Sequence, residues 1–193
     1  YNKPQQEGLY LHFKAIAEAT SLPCMLYNVP TRTALNMESE TTLRLAEIDN
    51  IIGVKEASSN PVQIATIIDK ARNGFKVWSG NDDETFSTMC VGGYGIVSVA
   101  GNIMAGQIKT MMGMILEGDI ESAAREQRRM LPLFRAFFWV TNPVPIKYAV
   151  NRHGFRAGPT RLPMAPPDDA FRKKFDPLMD LYQMDLPVNG RTP

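Results

Sequence analysis

The sequence predicts an α/β protein that continues into a helical C-terminal region. Three observations carry this reading. Four short apolar runs are separated by stretches whose apolar residues recur every three to four positions. No further strand-like run follows Met104, and proline-rich joints around Pro143 and from Pro163 to Pro167 divide the remaining helical stretches. Strands alternating with amphipathic helices are joined by right-handed crossovers, so the sheet is parallel.

Leu9, Phe13, Ile16 and Ala17 line one face of a helix over Gln6 to Thr20. Pro23 then introduces the apolar run Cys24 to Tyr27, closed by Asn28-Val29-Pro30, whose length and flanks suit a buried strand. A helix over Met37 to Ile48, with Glu38 and Glu40 near its positive end, leads into a strand over Ile51 to Lys55. The next pair is a helix over Pro61 to Arg72 and a strand over Phe75 to Ser79. In the last pair a helix spans Asp82 to Val91, with Asp82 and Asp83 suited to its cap and first turn, before a strand over Ile96 to Val99. Helices are expected over Ile108 to Leu116, Ile120 to Val140, Pro145 to Arg152 and Asp168 to Tyr182.

The 193 residues carry 21 Lys and Arg against 20 Asp and Glu, a formal net charge of +1. That balance lacks the footprint of nucleic-acid or anionic-membrane binding, so a small-molecule function is expected, with no nucleic acid and no membrane as partners. The apolar stretch from Leu133 to Val140 is short and broken by Arg135, far below a membrane span. Cys24 and Cys90 offer neither a disulfide framework nor a zinc spacing, and both read as buried free thiols in a cytoplasmic protein. His12 and His153 have no acid or cysteine at ligand spacing, so no metal is expected. The run Asp82-Asp83-Glu84 reads as capping. Gly92-Gly93-Tyr94-Gly95 precedes a strand instead of following one, which removes a dinucleotide fingerprint. Basic runs Arg125 to Arg129 and Arg172 to Lys174 read as solvated helix faces, and Met111, Met112 and Met114 as packing.

Four βα units fit either an open doubly wound sheet or half of an eight-stranded barrel, and the strand ends discriminate between them. Alternation puts Ile51, Gly53 and Lys55 on one face of the second strand and Ile52 and Val54 on the other. Lys55 therefore stands at the carboxyl tip of a buried strand, where apolar surroundings favour a neutral, nucleophilic amine able to form a Schiff base with a carbonyl. Pairing of Lys55 with Glu56 or another carboxylate at a loop is the competing reading. Tyr27 ends the preceding strand, where a phenol can donate and recover a proton; the alternative is a large core residue with a satisfied hydroxyl. Arg32 follows five residues later, placed either to take a substrate carboxylate in a bidentate fork or to face solvent as a surface arginine.

These residues sit inside longer blocks: Tyr1-Asn2-Lys3-Pro4 with Glu7-Gly8-Leu9-Tyr10, Leu26-Tyr27-Asn28-Val29-Pro30-Thr31-Arg32-Thr33, and Ile52-Gly53-Val54-Lys55-Glu56-Ala57-Ser58. Ser79-Gly80-Asn81-Asp82, Gly92 to Val99, Asn142 to Lys147 and Arg161-Leu162-Pro163-Met164 extend the series. In order and spacing they resemble the signatures of the dihydrodipicolinate synthase and N-acetylneuraminate lyase superfamily of pyruvate-dependent class I aldolases. The resemblance implies the second half of a TIM (β/α)8 barrel over residues 1–118 and a C-terminal helical domain over 119–193. It also implies that Lys55 forms the imine with pyruvate, that Tyr27 shuttles protons, and that Tyr1 is the tyrosine a neighbouring subunit adds to the relay. Gly80 and Val97 would border the pyruvate, and Arg32 would hold the carboxylate of the second substrate.

Arg32 in Val29-Pro30-Thr31-Arg32-Thr33 is similar to the dihydrodipicolinate synthase branch, which implies L-aspartate 4-semialdehyde as partner substrate, no cofactor, and a homotetramer built as a dimer of dimers. The other readings are an aldolase or hydratase of the same superfamily acting on a sugar-derived 2-keto acid, and a non-catalytic truncated relative. In the family pattern four βα units precede the position of Tyr1, so the chain is expected to be part of a longer enzyme. Ala34 and Ser59 occupy positions where many members resemble one another in having Gly.

Overall fold

The computed structural model describes residues 2–185. By internal packing the chain divides into one compact unit up to Val97 and a second from Ser98 onward. The boundary expected from the sequence lies after residue 118; what separates the two divisions is the helix Gly101–Leu116, which packs with the helices that follow it.

In the first unit, α1 (Gln6–Glu18), β1 (Cys24–Asn28), a helical turn α2 (Pro30–Thr33), α3 (Ser39–Ala46), β2 (Ile51–Glu56), α4 (Pro61–Lys70), β3 (Lys76–Ser79), α5 (Thr85–Cys90) and β4 (Gly95–Ile96) follow in order. The strands form one parallel sheet in the order β1-β2-β3-β4, as successive βα crossovers require. One face of the sheet is buried by helices: Leu26, Val54 and Val77 pack with Ala17 of α1, Leu45 of α3, and Ile64 and Ile67 of α4. The opposite face carries Met25, Tyr27 and Val97, all substantially exposed, together with the half-buried Lys55 and Trp78.

Side-chain caps fix where the helices stop and start. The Asn50 amide donates to the carbonyls of Ala17 and Thr20 at the end of α1. The Arg72 guanidinium donates to the carbonyls of Ala46, Asp49 and Ile51, closing α3 onto β2. Asn60 accepts from the Gln63 amide at 3.0 Å and begins α4.

Several expectations need correction. A register shift between Cys24 and Met25 puts Cys24 opposite Ile51 but Met25 opposite Gly53. Ile51 therefore lies in the core with Val54, while Ile52 is exposed, and simple alternation holds only from Gly53 onward. The last strand is two residues long: the Val97 amide still donates to Ser79, after which the chain leaves the sheet. The expected helix Asp82–Val91 begins as a 3₁₀ turn over Asp82–Glu84, and Asp82 is buried instead of capping in solvent. The two cysteines are free, but Cys24 is only half-buried and Cys90, the last residue of α5, faces solvent.

In the second unit, α6 (Gly101–Leu116), α7 (Ile120–Ala136), α8 (Val144–Arg152) and α9 (Asp169–Met179) pack around Met104, Met111, Met130, Phe134 and Phe175. α6 starts seven residues earlier than expected, because Gly101 and Gly106 weaken the helical signal that the backbone nonetheless follows, with a non-helical kink at Met104. α7 ends at Ala136, where the amides of Phe138 and Trp139 bond three residues back and tighten the final turn. As expected, the basic runs are solvated: Arg125 pairs with Glu121 and Arg129 with Glu126 on the exposed face. Met111 is fully buried. Among the described residues no helix is long and apolar enough to cross a membrane, and no three His, Cys, Asp or Glu cluster as metal ligands would.

Candidate active site

Parallel strands place all their carboxyl ends on one rim, and that rim collects the residues picked out in the sequence. Tyr27, Lys55, Trp78 and Gly95 are consecutive partners across β1 to β4, so they form one row close to the carboxyl ends. Tyr27 and Lys55 share the face left uncovered by helices, and the Lys55 Nζ lies 4.3 Å from the centre of the Tyr27 ring. Gly80 follows β3 directly, Val97 follows β4, and Arg32 sits in the turn α2 that leaves β1. Tyr1 lies outside the described residues.

The surroundings of Lys55 differ from those of a surface lysine. Burial lowers its pKa from the ordinary lysine value, and Asp82 acts in the opposite sense. It makes no ion pair with another described residue. In particular Glu56 is not its partner: the Glu56 side chain is fully buried beneath the sheet and accepts from Asn28, Gln63 and the Ser58 amide. Burial raises the Tyr27 phenol above its ordinary value, and the positive charge of Arg32 opposes that rise. Arg32, in the turn after β1, is thus close enough for its charge to be felt at the phenol.

Gly80 matters for space as well as for turning the chain. A Cβ on it would stand 2.6 Å from the Ala57 methyl, too close to fit, and 3.2 Å from the Cε of Lys55, which would have to give by a few tenths of an ångström. Its amide donates to the Glu56 carbonyl at 2.7 Å, fastening the end of β3 to that of β2. A nucleophilic amine, a phenol, a guanidinium and a small open floor are what carbonyl capture with proton transfer needs.

Sequence reasoning missed three contributors. Asp82 was read as a helix cap, whereas it is buried close enough to Lys55 to affect its charge. Trp78 was read only as part of a strand, although register alone puts it beside Lys55. The polar cluster around Glu56 was hidden because Glu56 follows Lys55 in sequence, although strand alternation sends it to the opposite face.

A model of the dihydrodipicolinate synthetase family matches residues 1–181. The chain belongs to that family. It is 50% identical over 188 residues to a 4-hydroxy-tetrahydrodipicolinate synthase of Dehalococcoides mccartyi, covering 97% of this chain and 63% of the relative. Dihydrodipicolinate synthase from Aquifex aeolicus superposes with a TM-score of 0.92 at 34% identity, over 98% of this chain and 64% of that one. The chloride-inhibited dihydrodipicolinate synthase of Acinetobacter baumannii, solved with pyruvate, superposes with a TM-score of 0.88 at 36% identity, over 93% and 62%. The chain thus spans slightly less than two thirds of the dihydrodipicolinate synthases it matches. Its four-stranded parallel sheet with outer helices is part of their TIM barrel.

Proposed function

We propose that the chain carries the imine-forming side of an enzyme that condenses pyruvate with L-aspartate 4-semialdehyde to give 4-hydroxy-tetrahydrodipicolinate, the entry to lysine biosynthesis. The observation that carries the proposal is the pairing of Lys55 and Tyr27 at adjacent strand tips, amine over ring at 4.3 Å, on the open face of the sheet. The names of the matched relatives and the pyruvate complex support the substrate assignment.

The neutral Lys55 amine attacks the keto carbon of pyruvate, giving a carbinolamine. Loss of water, with Tyr27 delivering the proton to the departing hydroxyl, leaves the imine. Loss of a methyl proton converts the imine to an enamine, whose carbon adds to the aldehyde of the second substrate. Arg32 holds that substrate's carboxylate, while Gly80 and Val97 border the pyruvate. Tyr1 completes the relay from a neighbouring subunit, within a cytoplasmic homotetramer arranged as a dimer of dimers. The residue boundaries 1–118 and 119–193 stand as the proposed division between barrel half and helical domain.

Borohydride reduction in the presence of pyruvate tests this in the full-length protein. A pyruvyl adduct mapping to Lys55, absent in Lys55→Ala, is the expected result. Turnover by Lys55→Ala close to wild type would sink the mechanism. Comparing aspartate semialdehyde with sugar-derived 2-keto acids separates the synthase from other aldolases of the superfamily, and an untrapped full-length chain identifies a non-catalytic relative.

A further inference from the structure

We infer that the buried hydrogen-bond cluster of Asn28, Glu56 and Gln63 is a positioning network that sets Lys55 against Tyr27. The inference rests on the imine reading above and adds residues that touch no substrate. Asn28 and Glu56 are the chain neighbours of Tyr27 and Lys55, and they are partners in the strand register, one step beyond the Tyr27–Lys55 pair. Alternation turns the two reactive side chains to the open face and these two inward beneath the sheet. Asn28 is 2% exposed and Glu56 fully buried.

The cluster contains no cation; its carboxyl group is held by neutral donors. Glu56 Oε1 accepts from Asn28 Nδ2 at 3.0 Å and from the Ser58 amide at 2.8 Å. Glu56 Oε2 accepts from Gln63 Nε2 at 3.1 Å and from Asn28 Nδ2 at 3.2 Å. Asn28 Oδ1 in turn accepts from the Met37 amide at 3.0 Å, and Gln63 donates to the Met37 carbonyl. One buried acid therefore ties the tip of β1, the tip of β2, the first turn of α4 and the segment leading into α3. A backbone bond from Ala57 to the Asn28 carbonyl, and one from Gly80 to the Glu56 carbonyl, carry the same brace to β1 and β3. Nothing in folding a parallel sheet demands a buried carboxyl at this place, and burying one is unfavourable unless every lone pair is met. Its position one residue from the nucleophile gives it a use, because small misplacements of reacting groups cost rate steeply.

The test uses the full-length protein, pyruvate and borohydride, reading the rate constant for trapping at saturating pyruvate and the pyruvate concentration for half-maximal trapping. Glu56→Gln sets an amide nitrogen against the Gln63 donor and is expected to slow trapping about tenfold, with half-saturation changed much less. A merely structural loss would lower the folded fraction without this split. Trapping by Glu56→Gln at the wild-type rate, or slowing accompanied by an equal change in half-saturation, overturns the inference. If Glu56→Gln does not fold, Gln63→Met removes one donor from outside the strand pair, and an unchanged rate in it is equally fatal. Absence of any adduct in wild type is a different failure: it removes the imine reading, and the positioning role goes with it.

Discussion

Lys55 shows how one residue's chemistry follows from its place in a strand. Its row partners are Tyr27 and Trp78, its neighbours along the chain face the other way, and its amine sits over a ring, with no ion pair to another described residue. Burial lowers its pKa, so at any pH below the ordinary lysine value a larger neutral fraction is available than for an exposed lysine. The rate of pyruvate trapping should therefore rise with pH along a curve whose midpoint lies below 10.5, the ordinary value. Asp82 holds the pKa up, so Asp82→Asn should move that midpoint further down; a rise would show that the carboxylate acts otherwise. The candidate site was legible in the sequence where it depended on residue type at a strand tip or just after it, at Lys55, Tyr27 and Arg32; Gly80 and Val97 came from the family resemblance, and all five lie on the same rim. Asp82 was not, because a carboxylate at a helix start has an ordinary explanation in capping, and burial is visible only once the fold is closed.

At the scale of elements, the repeating order of helix and strand was readable because each strand is a short apolar run bracketed by turn residues. The details that escaped are those set by neighbouring chain. The shift between Cys24 and Met25 moves Ile51 into the core, and the brevity of β4 reflects departure of the chain after a single further bond to Ser79. Two turns offer a direct test. Ala34, closing α2, and Ser59, after β2, have φ of 55° and 57°, the left-handed region where an L side chain is strained. Ala34 is exposed, so Ala34→Gly relieves this strain and should raise unfolding free energy by about 0.5–1 kcal/mol. Ser59→Gly should gain less, since the Ser59 hydroxyl accepts from Asn81 at 3.3 Å. Urea unfolding midpoints of the two variants, measured side by side, check the order.

Over the whole molecule, two units with separate cores share one chain. The helical unit rests on aromatic packing: Phe171 and Phe175 stack at 4.8 Å, with Trp139 and Tyr148 edge-on to both. The sequence announced helices here but not this cluster, since Phe137, Trp139, Tyr148 and Phe171 come from segments whose meeting is a tertiary event. Phe175→Ala should cost that unit about 3–5 kcal/mol. Hydrogen exchange should show the loss in α7 to α9, with amides of β2 and α4 much less affected.

The row that holds Lys55 also contains one of the chain's two tryptophans, Trp78, set edge-on to Tyr94 at 5.2 Å. The other, Trp139, belongs to the aromatic cluster of the helical unit. With Trp139 replaced by Phe, Trp78 is the one indole in these 193 residues, one strand away from Lys55. The proposed conversion of its amine to an imine would change the charge and polarity beside an emitter whose colour depends on both, so carbonyl capture at this lysine should become visible as fluorescence, without label or coupled assay.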